Sequence, residues 1–157
     1  MGLLTFLINQ LWFVVIIAIA LVVGIRQFHT KQLIPALIIY VAGILYLTIF
    51  NRIGMLIGVN VSFFASLKCL TYTGVIKTII ENVILFVPLG AILYRLKPKW
   101  WITFVGVGLT VCIELTQHFV MIGTCEFTDL VANSLGTVIG FAVMKWMMRT
   151  RDSNPRG

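Results

Sequence analysis

WITFVGVGLTVCIELTQHFVMIGTCEFTDLVANSLGTVIGFAVMKWMM, running from Trp101 to Met148, holds two apolar runs joined by a short polar turn. Each run has about 20 residues, which at 1.5 Å rise per residue crosses a hydrocarbon core about 30 Å thick. Four polar residues, Glu114, Gln117, Asp129 and Asn133, lie in or beside these runs. A charge in a membrane helix costs on the order of 3 kcal/mol on insertion scales, so such groups face a bundle interior or a wet cavity and mark a functional site by default.

The whole chain supports the membrane reading. Its 157 residues are 60% hydrophobic and 11% charged, with a mean hydropathy of +1.04, whereas a soluble domain is about one quarter charged. The length suits a single membrane domain over residues 1–157, and no shift in composition marks a second. The net charge of +7 does not point to nucleic acid, because the basic residues are confined to short segments between apolar runs. Positive-inside anchoring accounts for them.

Outward from the quoted stretch, the pattern predicts an all-α bundle of about five transmembrane helices. The first span covers about Leu3 to Ile25, and with its first charge at Arg26, after the apolar run, it is expected to be a retained helix rather than a cleaved signal. A basic turn with Arg26, His29 and Lys31 leads to a second span, about Leu33 to Phe50, with Pro35 tolerated in its first turn. Asn51 to Lys77 mixes polar and aromatic residues without a clean run and is expected to be interfacial or re-entrant. The third span, about Thr78 to Tyr94, carries Pro88 and Gly90, expected to bend it or loosen its ladder. Arg95, Lys97 and Lys99 form a second basic turn, and Trp100 and Trp101 fall where aromatic belts sit. The fourth span runs from about Trp101 to Met121. The fifth runs from Asp129 to Met148, with Thr128 as N-cap and Asp129 placed against the helix dipole.

With the three short basic segments in the cytoplasm, the N-terminus is outside and the C-terminus cytoplasmic. Arg52, Lys68 and Lys77 would then also lie outside, in a longer connection where dispersed charges weigh less. In this topology Glu81 and Asn82 start the third span at its outer end. Glu114, Gln117 and His118 make a stripe on the outer half of the fourth, and Asp129 and Asn133 a second stripe at the start of the fifth. Acids and amides from three helix ends thus face one outward pocket. Gln117 and Asn133 taken alone are equally well explained as interhelical hydrogen bonders that hold the bundle together.

Three elements carry a family resemblance. Glu81 Asn82 followed by apolar residues and Pro88-x-Gly90, then Ile113 Glu114 Leu115 Thr116 Gln117, then Asp129-x-x-x-Asn133-x-x-Gly136 with Gly140, resemble in order and spacing the VanZ-like family. That family is named for a membrane protein associated with resistance to the glycopeptide teicoplanin. The resembling region spans about residues 81–141. The resemblance implies a cell-envelope role and singles out Asn82, Glu114, Gln117, Asp129 and Asn133 as the candidate ligand-binding set. Pro88, Gly90, Gly136 and Gly140 are backbone and packing residues, Gly136 and Gly140 forming a GxxxG pair.

Three functions stay open. A polar mouth with apolar walls suits an amphiphile such as membrane lipid, a lipid-linked cell-wall precursor or a lipoglycopeptide. A membrane enzyme would use Glu114 and Asp129 as candidate catalytic acid and base, or hold a divalent cation with Glu126 or His118. A small transporter would need polar groups continuing inward, where the last three spans offer little beyond Thr103, Thr110 and Thr137. Ser134 lacks a nucleophile elbow, and no zinc spacing or phosphate loop appears, so no metal and no cofactor is expected. His118 reads as a partly buried interfacial histidine before a ligand. Of three cysteines, Cys112 is expected in lipid or packing, while Cys69 and Cys125 share the predicted outer side and a disulfide between them stays open.

Overall fold

A computed structural model describes the backbone of residues 3–50, 72–120 and 127–152, with side chains from residue 15 onward except at 50, 72–75, 77 and 152. Helix α1 is Leu3–Gln27, α2 is Thr30–Leu45 continued by a π-helical turn Tyr46–Phe50, and α3 is Tyr72–Leu96. A 3₁₀ turn at Trp100–Ile102 opens α4, Thr103–Phe119, and α5 is Phe127–Asp152. The re-entrant expectation for Asn51 to Lys77 lies mostly outside the described residues, and the Cys69–Cys125 pair lies wholly outside them.

The protein is an all-α polytopic membrane protein. Among the described residues, four segments are long and apolar enough to cross a membrane: Thr30–Ile49, Thr78–Leu96, Trp100–Phe119 and Phe127–Arg151. Helix α1 is 25 residues long, and its stretch Val15–Gln27 is a further apolar helix. Ile39, Phe104, Val138 and Ile16 are among many large apolar side chains left exposed, far more than a water-soluble surface carries. The buried residues instead face one another in two clusters, one around Val22, Leu33, Ala91 and Met144, the other around Ile44, Phe86, Leu89 and Ile113.

Several boundaries differ from the sequence reading. The third helix begins at Tyr72, so Glu81 and Asn82 sit in its third turn, although still in the first turn of its apolar span. Pro35 is in the second turn of α2, because His29 precedes the helix and donates its backbone N–H to Gln32 Oε1 at 3.0 Å. Polar residues such as Thr30, Lys31 and Gln32 are helical but too hydrophilic for an apolar-run reading to include.

Helices α3 and α5 form the most extensive helix contact, and glycine makes it possible. A Cβ built at Gly136 would collide with the Val83 carbonyl, one at Gly140 with the Val87 carbonyl, and one at Gly90 with the Thr137 carbonyl, all well inside 3.0 Å. Glycine lets each Cα–H approach a carbonyl on the facing helix, the arrangement of weak Cα–H···O contacts at close helix crossings. The pairing rises together along both helices, so α3 and α5 run parallel. Pro88 lies within the same helix α3. It has no N–H for the Ile84 carbonyl, and the helix nonetheless continues to Leu96, with Pro88 buried and the neighbouring Leu85 carbonyl accepting the Tyr40 hydroxyl at 2.6 Å.

Helix α4 runs the other way. Gly106 meets the Thr137 side chain and Thr110 meets Asn133, four residues up one helix matching four down the other. The bundle therefore alternates direction through α3, α4 and α5. One end gathers the turn at Phe28 and the end of α3, where Arg95 donates to the Phe28 carbonyl and approaches the Met148 sulfur at 4.0 Å. Arg26, Lys97, Lys99 and Lys145 belong to this basic end, and Glu81, Glu114 and Asp129 lie toward the opposite, acidic end.

Candidate functional site: a buried polar column

The facing surfaces of α4 and α5 carry a column of polar residues inside an apolar bundle. Thr110 and Thr137 are fully buried, Gln117 is 1% exposed, Glu114 and Asn133 3%, and Asp129 5%. Their spacing explains why they share a face. Gly106, Thr110, Glu114 and Gln117 recur at intervals of three and four along α4, as Asp129, Asn133 and Thr137 do along α5.

Antiparallel register then aligns the two rows. Gly106 lies against Thr137, whose Oγ1 donates to its own helix at the Asn133 carbonyl, 3.1 Å. One turn on, Asn133 Nδ2 donates to Thr110 Oγ1 at 2.7 Å, while Asn133 Oδ1 is buried with no hydrogen-bond partner among the described residues. Continuing by one more turn brings Glu114 level with Asp129. At the acidic end, Gln117 Nε2 donates to the Thr48 carbonyl at 3.0 Å. That carbonyl lies in the π-helical turn of α2, where the i→i+5 pattern loosens the local ladder and makes carbonyls available to side chains.

Of the five residues singled out by the sequence, Glu114, Gln117, Asp129 and Asn133 are thus all buried, on the two helices that the Thr110–Asn133 contact joins. Asn82 is half-buried on α3, next to Val83, whose carbonyl faces Gly136. Glu81 is also half-buried. The register of the glycine contacts sets both deeper along α5 than Asp129, opposite Ser134 and Leu135. Of the four packing residues, Gly90, Gly136 and Gly140 are buried at the α3–α5 contact, and Pro88 is buried on α3.

His118 does not join the stripe. It is exposed, with its ring 5.8 Å from that of Phe119, because a residue one position beyond Gln117 turns about 100° away from the buried face. Cys112 is a free, exposed cysteine within the apolar span Trp100–Phe119. Among the described residues no group of three or more His, Cys, Asp or Glu is placed to hold a metal ion, and Glu126 lies outside them.

Sequence reasoning undervalued Thr110, treated as an incidental inner hydroxyl although it is the side-chain partner of Asn133. Its position four residues before Glu114 was the available signal. The Thr48 carbonyl had no signal at all, since a backbone acceptor offered by a π turn is invisible in side-chain spacing.

No curated protein and no solved structure matches the chain. A family model described as VanZ/LLP1 matches residues 11–148. The match reaches well beyond the 81–141 region and takes in the first two helices, where no motif was legible. With nearly the whole bundle covered, the chain belongs to the VanZ/LLP1 family.

Proposed function

We propose that this protein acts at the outer face of the cell membrane by binding an amphiphilic envelope component, a lipid-linked cell-wall precursor or a lipoglycopeptide, between the acidic ends of α3, α4 and α5. Binding of this kind would contribute to glycopeptide resistance of the teicoplanin type. The N-terminus is then outside and the C-terminus cytoplasmic, which is the orientation the basic turns favour.

One observation carries the reading: Glu114 and Asp129 are both buried in an apolar bundle, and the Thr110–Asn133 register, extended by one turn, sets them level, with Gln117 and Asn133 a turn away along their own helices. Keeping two acids in an apolar bundle opposes stability and calls for a compensating use. An amphiphile would meet polar groups at the head and apolar helix surfaces beside its chain. The same pair of acids favours a second reading, an enzyme in which one carboxylate withdraws a proton and the other returns it. A transport path has less support, because beyond Thr137 the buried residues of α5 are Gly140, Phe141 and Met144, which offer a polar solute no partner.

The test is incubation of purified protein with labelled lipid-linked precursor, with and without chelator. Retention without turnover supports the binder, and turnover supports the enzyme. Glu114→Ala and Asp129→Ala are expected to abolish a resistance phenotype while leaving membrane abundance near normal. Loss of abundance in both would make the acids structural and end the proposal.

A further inference from the structure

The basic end of the bundle carries a second concavity that the polar column does not use. It has a volume of about 490 Å³ and lies between the end of α3, the turn that follows it and α5. Tyr94 and Phe141 form one wall, their rings edge to face at 5.0 Å and 82°. Trp100 and Trp101 line another side, and Trp100 is braced against Phe104 at 5.6 Å. Two lysines, Lys99 and Lys145, line the same concavity from different elements.

We propose that this concavity is a binding site for the headgroup of an anionic phospholipid, with the phosphate between Lys99 and Lys145. Both lysines are exposed, and no carboxylate is among the residues that line the space. Lys97, in the same turn, sits over the Trp101 ring at 4.5 Å, which adds positive charge while leaving the other two lysines to the ligand. The turn that presents Lys99 is held in advance. Its N–H donates to the Lys97 carbonyl at 2.7 Å, and its own carbonyl accepts from Ile102 N–H at 3.0 Å. Ordering cost on binding is correspondingly small.

Depth and composition select a lipid over a soluble anion. Pro98 separates two apolar spans ending at Leu96 and beginning at Trp100, so the site lies at the membrane interface, where tryptophan rings sit beside headgroups. The aromatic wall accepts the glycerol and first methylenes, and the lysines accept the charge. Each lysine that lines the site is expected to add about fivefold in affinity for the anionic headgroup.

The experiment is titration of the full-length protein, purified in a neutral maltoside detergent, with dioleoylphosphatidylglycerol, dioleoylphosphatidylcholine and inorganic phosphate. Bound lipid is read by native mass spectrometry and by tryptophan fluorescence. Phosphatidylglycerol is expected to bind preferentially, with affinity lowered about fivefold in Lys99→Gln and about 25-fold in the Lys99→Gln/Lys145→Gln double variant. Lys99→Arg/Lys145→Arg should retain it, and Lys31→Gln, an exposed lysine in the first turn of α2, should match the wild type. Equal retention of both lipids would overturn the proposal. So would saturation by inorganic phosphate at the same concentrations, or a double variant that keeps its helical circular dichroism and binds phosphatidylglycerol undiminished.

Discussion

Replacing Gly140 by alanine adds one methyl group, and the structure sets how much that costs. A Cβ at this position meets the Val87 carbonyl oxygen and carbon inside 3.0 Å and the Val87 Cα at 3.0 Å, whereas ordinary contact begins at 3.4 Å. All three atoms are backbone, so no side chain can swing aside, and α3 and α5 must separate by about 1 Å or more. Overpacking of this kind costs about 1–3 kcal/mol. Separation also weakens the close approaches at Gly136 and Gly90, each Cα–H···O contact contributing about 0.5–1 kcal/mol. Alanine's better helix propensity returns about 1 kcal/mol. The net expectation is a loss of about 2.5 kcal/mol. Gly108→Ala is the control, because nothing lies within 4 Å of a Cβ there, and propensity alone should stabilise it by up to about 1 kcal/mol. Reversible unfolding in mixed micelles, followed by circular dichroism, measures both. If the two variants fall within 1 kcal/mol of each other, the close glycine contact does not hold α3 to α5.

Three further outcomes are expected. Thr110→Val removes the acceptor for Asn133 Nδ2 and should destabilise by about 1 kcal/mol; in a double-mutant cycle with Asn133→Leu the coupling should account for most of that loss, and additivity would show that the two do not interact. Tyr40→Phe deletes the hydroxyl on the Leu85 carbonyl, with an expected cost of about 1 kcal/mol and faster amide exchange around Pro88; unchanged exchange would mean that this bond does not brace the proline turn. Arg95→Met removes the donor to the Phe28 carbonyl and should expose the α1–α2 turn to limited proteolysis, while wild-type resistance there would count against the tie.

Much of the bundle was legible because lipid imposes one requirement on every span. Backbone polar groups must be satisfied internally, so an apolar run of sufficient length is a helix almost by necessity. Where polarity blurred the run, as at Tyr72–Lys77 and Thr30–Gln32, the helix extends beyond it, since hydrogen bonding does not stop at the membrane boundary. Spacings of three and four set Glu114 with Gln117 and Asp129 with Asn133 on shared helix faces, and all four are buried. The same rule placed His118 in the first stripe, yet its side chain faces outward. Spacing places residues near one face of a helix, and a single position of ambiguity at the helix end decides whether a ring packs inward.

By itself, then, the sequence determined the class of fold, its spans, its basic turns and the faces that bear acids and amides, because each depends on local composition and a helical period. Only the tertiary structure decided which faces meet. The parallel register of α3 with α5 follows from three glycines against three carbonyls, and the antiparallel register of α4 with α5 follows from Thr110 against Asn133. Those contacts join residues that chain spacing alone cannot relate, and they are what set Glu114 level with Asp129 in register and bring Lys99 and Lys145 to one concavity.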